Sequence, residues 1–377
     1  MDRLRPPRAE LADLVAYDAK DVRAEINLSA NENPRNLPGE VLEKLADRVR
    51  FDIPFNRYPD PLATRLRELI AQANGLDAAN VLVGNGGDEI ILDIILAWGG
   101  PGRKLVDMPP TFAMYEIDAR VTGTRVVEVP RNAEFEVDGE SLLAAVADQD
   151  PDIVVVSNPN NPTGTMTAET LLIELLNATD AMVLVDEAYF EFSRQTMRPH
   201  MERHPNLVIL RTFSKAFSLA GLRAGYLLAQ ADVIRELTKV RQPYSVNRFT
   251  QIAASLAFRE RMVFEAGVRE TMRNRDRLVH GLAQMSEVAV FPSEANFVLF
   301  RVDQAAAIWR DLLHDHSILV RDLSRTPGLE DCLRITVGTE EEVDRFLQAM
   351  DEILARKHAS RHFGVNATAN RHLEQDR

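Results

Sequence analysis

The chain has 377 residues, of which 45% are apolar and 27% are charged, a composition typical of a globular protein large enough for two packed lobes. Its formal charge of -13 argues against a general role in binding nucleic acids or anionic membranes. The single cysteine, Cys332, excludes an internal disulfide, and the chain lacks both a signal-peptide-like start and a long apolar run. We therefore expect a cytoplasmic protein that acts on small molecules and has no metal site.

The first predicted elements are an irregular N-terminal arm over residues 1–37 and helices that extend to about residue 74. From residue 80 onward, short apolar runs alternate with helical stretches, and this alternation predicts an α/β fold with a mainly parallel central sheet flanked by helices. The candidate strands are residues 81–83, 104–107, 125–129, 153–157, 182–186, 207–212 and 224–228.

After about residue 240 the pattern becomes helix-rich and then alternates again, which indicates a smaller α+β lobe. Its candidate strands are residues 288–291, 297–301, 318–321 and 333–336, with helices near 303–315 and 340–356. We predict a large domain over 38–240, a small domain over 241–356 on which the N-terminal segment packs, and a flexible tail over 357–377.

The segment RTFSKAFSLAGLRAGY carries the strongest chemical signal, and it follows an apolar strand. Lys215 lies just past that strand, with hydroxyl groups at Thr212 and Ser214 and a guanidinium at Arg223. A lysine in a partly closed site can form a Schiff base, because burial and nearby cations favour its neutral amine. Hydroxyls together with an arginine suit a phosphate group, although a lysine in a loop is usually just solvated.

Three further motifs follow other strands. Asp186 in VLVDEAY could keep a pyridine nitrogen protonated, with Tyr189 nearby at a ring oxygen; the ordinary alternative for Asp186 is a helix N-cap. Asn161 in NPNNPTG could present its amide to the same oxygen, although such loops are usually simple turns. Gly86 and Gly87 in VGNGGDE precede a helix, where backbone N–H groups bind phosphate, but without the spacing of a nucleotide loop.

In this order, the motifs resemble those of the fold-type-I aminotransferases that depend on pyridoxal phosphate, and the histidinol-phosphate aminotransferase branch in particular. The resemblance covers residues 28 to 342, most of the chain. It is carried by LSANENP, RYPDP, GNGGDE, PPTFAMY, NPNNPTG, VDEAYFEF, RTFSKAFSLAGLRAGY, PYSVN, EANFVLFR and LRITVGTEEE. It implies pyridoxal 5'-phosphate as cofactor, an amino donor and a 2-oxo acid as substrates, and a homodimer with shared sites.

The resemblance also implies roles for individual residues. Lys215 would bind the cofactor covalently and move the proton, Asp186 would pair with the ring nitrogen, and Asn161 and Tyr189 would hold the ring oxygen. Phe112 stands where a tyrosine usually stacks on the ring. The residues implied to hold the cofactor phosphate are Gly86, Gly87, Thr212, Ser214, Arg223 and, from the neighbouring subunit, Tyr58.

On the substrate side, the resemblance implies that Arg334 binds the acidic group of the substrate. It also implies that the substrate is contacted by Tyr17, Asn33 and Arg321. An arginine within an apolar strand needs an anionic partner if it is buried, and a structural ion pair is the alternative. The chain departs from the family pattern at Phe112, at Gly87 and at Arg35-Asn36, and these departures bear on the substrate more than on the reaction.

The leading hypothesis is amino transfer between histidinol phosphate and 2-oxoglutarate, which gives imidazole acetol phosphate and glutamate in histidine biosynthesis. An aromatic amino-acid aminotransferase and an amino-acid-phosphate decarboxylase share these motifs, so pocket contacts must separate the three. A non-catalytic regulator fused to a DNA-binding module is disfavoured, because the resemblance begins near residue 28 and the chain is acidic.

Overall fold

The computed structural model describes residues 22–373 together with Arg5, Arg8, Leu11 and Leu14, and it describes side chains as far as residue 358. Within that part of the chain lie one sheet of seven strands, one of four and one of two. The strands are Ile26–Asn27 (β1), Val81–Gly84 (β2), Lys104–Asp107 (β3), Arg125–Glu128 (β4), Ile153–Ser157 (β5), Met182–Asp186 (β6), Leu207–Thr212 (β7), Gly225–Leu228 (β8), Val288–Val290 (β9), Phe297–Val302 (β10), Ile318–Leu319 (β11), Arg321–Asp322 (β12) and Cys332–Thr336 (β13). The α-helices are Gly39–Asp52 (α1), Thr64–Asn74 (α2), Gly87–Trp98 (α3), Met114–Thr122 (α4), Gly139–Gln149 (α5), Glu169–Ala178 (α6), Phe190–Ser193 (α7), Ala231–Val240 (α8), Arg248–Arg259 (α9), Glu265–Ala283 (α10), Ala305–His316 (α11) and Glu340–Leu373 (α12).

The large sheet has the strand order β2-β8-β7-β6-β5-β3-β4, and only β8 runs antiparallel to its neighbours. The predicted α/β fold with a mainly parallel sheet is therefore confirmed. Strands β5, β6 and β7 are buried at every position, which explains their continuous apolar sequences. Because β5, β6 and β7 are parallel, the loops that follow them meet at one edge of the sheet.

Helices cover both faces of this sheet. Alternate residues of one strand point to opposite faces, so Val154 and Val156 join one core while Ile153 and Val155 join the other. The first core includes residues of α1, α2, α5, α6 and α9, and the second includes residues of α3, α4 and α8. The central sheet is thus shielded from water, and its loops at the carboxyl edge have a rigid support.

The four-stranded sheet, of order β12-β13-β10-β9, is antiparallel and forms a smaller lobe with α10, α11 and α12. Helix α9 packs on the core of the large lobe, and α10 joins the two cores, with Val268 in the first and Leu278 in the second. The change of core therefore falls within α10, later in the chain than the predicted boundary at residue 240. The domain limits themselves stay predictions.

The N-terminal segment joins the small lobe through a short parallel pair, β1 with β11. The Leu28 backbone N–H donates to the Leu319 carbonyl at 2.8 Å, and the Thr336 N–H donates to the Leu28 carbonyl at 2.8 Å. The single strand predicted over residues 318–321 is wrong in detail, because the chain changes partner at Val320, from β1 to β13. The segment leading to Asn31 is thereby fixed against the small lobe.

The last helix extends well past its predicted end near residue 356, since its backbone is helical to Leu373. The segment from residue 357 to 373 contains no proline, and a single glycine weakens a helix by only about 1 kcal/mol. Among the described residues, the structure has no helix long and apolar enough to cross a membrane.

Candidate active site

A cavity, here called the inner cavity, lies at the carboxyl edge of the large sheet. It is formed mainly by the loops after β5, β6 and β7 and by the start of α3. The residues that line it are Gly87, Asp88, Ile91, Phe112, Tyr115, Ser157, Asn161, Asp186, Ala188, Tyr189, Leu210, Thr212, Ser214, Lys215 and Arg223. The structure therefore brings together most of the predicted cofactor-binding residues, which come from five separate segments of the sequence.

Lys215 lies three residues past the end of β7, and its Nζ donates to the backbone carbonyl of Ala30 at 3.3 Å. Burial is the main cause that lowers the pKa of this amine to about 8, and the nearby Arg334 cation lowers it further, against the opposing charge of Glu32. The neutral amine is the nucleophilic form of a lysine. Near pH 8, Lys215 is therefore poised to attack a carbonyl group.

Asp186 ends β6 and is buried, with 6% of its surface exposed. Its Oδ2 accepts a hydrogen bond of 2.6 Å from the Tyr115 hydroxyl, and its Oδ1 accepts one of 2.9 Å from the Ala188 backbone N–H. Burial raises the pKa of Asp186 to about 6, while the bond from Tyr115 acts in the opposite direction. A cationic group placed beside this carboxylate would strengthen its ionised form.

Asn161 and Tyr189 face the inner cavity from neighbouring loops. The Asn161 Oδ1 accepts a hydrogen bond of 2.5 Å from the Arg334 guanidinium, so its amide nitrogen is the end that can donate elsewhere. The Tyr189 hydroxyl accepts a bond of 3.0 Å from the Asn31 amide. Both side chains are thus oriented by residues of the small lobe and the N-terminal segment.

The part of the cavity near the start of α3 has groups that suit an anion. The Thr212 hydroxyl donates to the Ser214 hydroxyl at 3.0 Å, and Gly86 precedes α3, whose first turn has no side-chain cap. Gly86 has a left-handed backbone with φ of 85°, which glycine adopts without strain, and a Cβ there would come within 2.7 Å of the Arg223 guanidinium. The Arg223 Nη2 donates to the Asp88 carboxylate at 2.5 Å, and any bound anion would share this guanidinium.

A second cavity, here called the outer cavity, is joined to the first through four shared residues, Phe112, Asn161, Tyr189 and Lys215. Its other lining residues are Val22, Asn27, Ser29, Ala30, Asn31, Glu32, Thr111, Ala113, Pro162, Leu319, Arg321, Leu323, Thr326, Leu329 and Arg334. These residues come from the N-terminal segment, the large lobe and the small lobe, so the outer cavity lies where all three meet.

Two predicted arginines line the outer cavity. Arg334 is buried, with 8% exposed, and its Nη2 donates to the Ser29 carbonyl at 2.9 Å. Arg321 lies directly opposite Arg334 in the ladder between β12 and β13. Like charges at opposite positions of a sheet repel each other, so this pair favours an anion between or beside them.

The remaining predicted site residues lie elsewhere. Tyr58 is 78% exposed and stacks on Tyr244 with ring centroids 4.8 Å apart, outside both cavities. Asn33 donates through its amide to the backbone carbonyls of Lys215 and Ala216, both at 3.3 Å, and it supports the lysine loop rather than lining a cavity. Tyr17 lies outside the described residues.

The structure also reveals residues that the sequence analysis missed. Tyr115 holds Asp186, Asp88 pairs with Arg223, and Glu32 lines the outer cavity. Tyr115 follows Phe112 by three residues within PPTFAMY, and this closeness to a predicted cofactor-binding residue is a signal that could have found it.

The donor set of the inner cavity fits pyridoxal phosphate. The cavity is lined by a lysine with a lowered pKa, a buried carboxylate, the hydrogen-bonding side chains of Asn161 and Tyr189, the ring of Phe112 and the group of hydroxyls and Arg223. No group of three or more metal-binding side chains occurs in the part of the chain that the structure describes. The fold and the cavity together define an enzyme of the pyridoxal-phosphate-dependent class.

Comparisons with known proteins specify the family. Residues 23–350 match the family model for aminotransferase class I and II. The chain is 41% identical to histidinol-phosphate aminotransferase 1 of Carboxydothermus hydrogenoformans, over 94% of this chain and 100% of that relative. The chain therefore belongs to the histidinol-phosphate aminotransferase family, within the class I and II aminotransferases that depend on pyridoxal phosphate.

Solved structures agree with this family. The histidinol-phosphate aminotransferase of Sinorhizobium meliloti, determined in complex with pyridoxal-5'-phosphate, is 27% identical with a TM-score of 0.81, over 89% of this chain and 92% of that one. The L-threonine-O-3-phosphate decarboxylase of Porphyromonas gingivalis is 28% identical with a TM-score of 0.77, over 88% of this chain and 99% of that one. One fold thus serves both transamination and decarboxylation, and the contacts in the outer cavity must distinguish them.

Proposed function

We propose that the protein uses pyridoxal 5'-phosphate to transfer the amino group of L-histidinol phosphate to 2-oxoglutarate, with imidazole acetol phosphate and glutamate as products. The observation that carries the proposal is the position of Lys215. It lies at the junction of an inner cavity built for the cofactor and an outer cavity with two arginines at its wall.

In this proposal, the inner cavity binds and orients the cofactor. Asp186 accepts a hydrogen bond from the ring nitrogen and keeps that nitrogen protonated, while Asn161 and Tyr189 donate to the ring oxygen. Phe112 packs on the ring face, which preserves stacking without the hydroxyl group of a tyrosine. Bound pyridoxal phosphate supplies an electron sink that stabilises negative charge at the substrate carbon.

The phosphate of the cofactor would bind at the start of α3. The backbone N–H groups at Gly86 and Gly87, the hydroxyls of Thr212 and Ser214 and the Arg223 guanidinium form this surface. The helix N-terminus adds a favourable electrostatic field.

Lys215 has two tasks in the proposal. Its neutral amine binds the cofactor covalently, and the lowered pKa makes that amine available near pH 8. Lys215 Nζ would also hold and move the proton at the substrate Cα. The lysine is therefore the catalytic acid and base of the amino transfer.

The outer cavity would bind the remainder of the substrate. Arg334 and Arg321 bind the distal acidic group, which is a carboxylate in glutamate and a phosphate in histidinol phosphate. Both substrates use the cavity in turn, so the same arginines must accept both anions. Tyr17 and Asn33 stay predictions as additional substrate contacts.

We also propose that two copies of the chain form a homodimer in the cytoplasm, in which Tyr58 of each copy reaches the cofactor phosphate of the other. Supporting this, Tyr58 is exposed near two other exposed aromatic side chains in the same segment, Phe51 at 71% and Phe55 at 76%. Exposed apolar side chains that cluster in this way often mark an interface.

Single-turnover spectroscopy tests the substrate. The purified holoenzyme is mixed separately with histidinol phosphate, glutamate, phenylalanine and threonine phosphate, and the loss of the visible cofactor band is followed. Rapid conversion with histidinol phosphate and glutamate, and slow conversion with phenylalanine, supports the proposal. A preference for phenylalanine would make the protein an aromatic aminotransferase, and release of carbon dioxide from threonine phosphate would make it a decarboxylase.

A further inference from the structure

Glu32 is the only carboxylate among the described residues that line the outer cavity. It shares that cavity with Lys215, Arg321 and Arg334, so one negative group faces three positive ones. Its side chain is exposed, and no side-chain hydrogen bond or ion pair of Glu32 is found within the described part of the chain. A carboxylate in a cationic cavity that does not pair with the cations is available to a ligand.

The backbone on both sides of Glu32 is held firmly. The Asn31 N–H donates to the Thr336 hydroxyl at 2.8 Å, and the Asn31 carbonyl accepts from the Asn296 amide at 3.0 Å. Asn31 also has a left-handed backbone with φ of 54°, which an asparagine tolerates better than most residues. On the other side, Asn33 donates to the lysine loop at Ala216. The position of Glu32 is therefore fixed relative to Lys215, although its own carboxylate is not bonded.

The two amino donors of the proposed reaction differ in what they offer a carboxylate. Glutamate and histidinol phosphate both carry an amino group and a distal anion. In the proposed function, the amino group lies at Lys215 and the distal anion binds to the two arginines. Histidinol phosphate alone carries an imidazole ring, which has an N–H donor when neutral and two when protonated. A carboxylate in the cavity would repel the acid groups of both donors, and among their other groups only the imidazole ring distinguishes histidinol phosphate by an additional N–H donor.

We propose that Glu32 is the residue that selects the imidazole-bearing substrate, by accepting a hydrogen bond from a ring N–H. This inference rests on the proposed function, because it assumes that histidinol phosphate is a substrate. In this proposal, Arg321 and Arg334 bind the distal anion of the substrate, and Glu32 binds its imidazole ring. A neutral aromatic ring such as that of phenylalanine offers no such donor and would leave the carboxylate unpaired.

The test compares the wild-type holoenzyme with Glu32→Gln, which keeps the shape and removes the charge. Single-turnover rates are measured with three amino donors: histidinol phosphate, glutamate, and 2-aminobutyl phosphate, which keeps the amine and phosphate but lacks the ring. Loss of a hydrogen bond to a charged group predicts a kcat/KM for histidinol phosphate that is about 10- to 100-fold lower. The values for glutamate and 2-aminobutyl phosphate should change by less than about 3-fold.

The matched control is Glu174→Gln, an exposed glutamate on α6 that lines neither cavity. The thermal unfolding temperature and the cofactor absorbance of each variant report whether the fold and the inner cavity are intact. Because the Glu32 side chain makes no bond within the described residues, the unfolding temperature should match wild type. The cofactor band should persist, with its pH dependence shifted to lower pH, because the Glu32 charge raises the pKa of Lys215.

Each result decides the inference. A selective loss with histidinol phosphate supports it. An equal loss with all three donors would mean that Glu32 binds the common amino group, and no loss would mean that it does not contact substrate; both overturn it while the proposed function stands. If the wild-type enzyme converts glutamate but not histidinol phosphate, the proposed function fails, and this inference fails with it.

Discussion

The inner and outer cavities share Lys215 but hold their side chains in different ways. In the inner cavity, Asp186, Thr212 and Ser214 are buried and bonded to neighbours, and they lie at or just after the ends of the adjacent strands β6 and β7. In the outer cavity, Glu32 is exposed and Arg321 is only partly buried, and they come from opposite ends of the described chain. The inner cavity is thus built by one sheet, and the outer cavity by the contact between lobes.

This difference separates the two things an enzyme must specify. Pre-organised, buried groups supply the cofactor chemistry that both reactions share, because they cost no rearrangement when charge develops. Groups at the junction between the lobes, exposed like Glu32 or buried like Arg334, are proposed to determine which substrate is accepted, and they lie outside the large sheet. The likeness of this chain to both an aminotransferase and a decarboxylase is consistent with that separation.

The largest effect is expected from Lys215→Ala, which removes the proposed catalytic amine from the junction of the two cavities. Turnover with glutamate should fall by more than about 10^4-fold, because no other described side chain there can replace a neutral amine. The visible band of the covalently bound cofactor should disappear, while the unfolding transition stays cooperative.

The control for this variant is Lys239→Ala, which removes an exposed lysine on α8 that pairs with Glu236. It should leave turnover and absorbance at wild-type levels. Residual turnover within tenfold of wild type in Lys215→Ala would refute the proposed chemistry of the inner cavity.

The next effect concerns the outer cavity. Arg334→Ala should lower kcat/KM by about 10^2- to 10^3-fold for both glutamate and histidinol phosphate, since a buried charged partner of the substrate is lost. Retained cofactor absorbance would place the defect in the outer cavity. Arg325→Ala, an exposed arginine between β12 and β13, is the matched control.

The same variant has a readout in pH. The Arg334 cation lowers the pKa of Lys215, so its removal should raise that pKa above about 8. The rate at which the apoenzyme captures pyridoxal phosphate should therefore reach its plateau at a higher pH than in wild type. An unchanged pH midpoint would show that Arg334 does not contribute to the lowered pKa of the lysine.

Much of the inner cavity could be predicted from sequence, because its residues lie in short motifs directly after buried strands. A continuous apolar run such as IVVVS fixes where β5 ends, and thus where Asn161 must appear. The predicted strands of the large sheet match the structure to within one residue at each end. Local pattern was sufficient there because every strand is covered on both faces.

The outer cavity was predictable only in part, because its residues meet through contacts between distant segments. Arg334 could be predicted as a site residue because it is a charge within an apolar strand. The role of Glu32 could not, because its position depends on bonds that the neighbouring Asn31 makes to distant segments. The division of residues 318–321 between two sheets likewise depends on β1, which the apolar pattern does not mark. Tyr58 lies outside both cavities of one chain, and it could contact a cofactor only in the proposed dimer.

The smallest effect is expected from Tyr115→Phe, and it tests how strongly the inner cavity depends on pre-organisation. This change removes the 2.6 Å hydrogen bond to Asp186 and leaves the ring in place. Because that bond counteracts the rise in the pKa of Asp186 caused by burial, its loss should move the pKa above about 6. Less of the carboxylate is then ionised near pH 7, and the affinity of the apoenzyme for pyridoxal phosphate should fall about tenfold.

The sign of the pH effect makes this prediction specific. Affinity that depends on ionised Asp186 is lost as the pH falls through its pKa, so the acid limb of cofactor binding should shift to higher pH in Tyr115→Phe. Tyr226→Phe removes another buried hydroxyl, one that contacts Arg211 outside both cavities, and should leave that limb in place. If the two variants behave alike, Tyr115 serves only packing, and the inner cavity is less dependent on its hydrogen bonds than its geometry implies. If only Tyr115→Phe shifts the acid limb, then Tyr115, three positions after Phe112, controls the ionisation of Asp186. That ionised carboxylate is what would keep the cofactor ring nitrogen protonated.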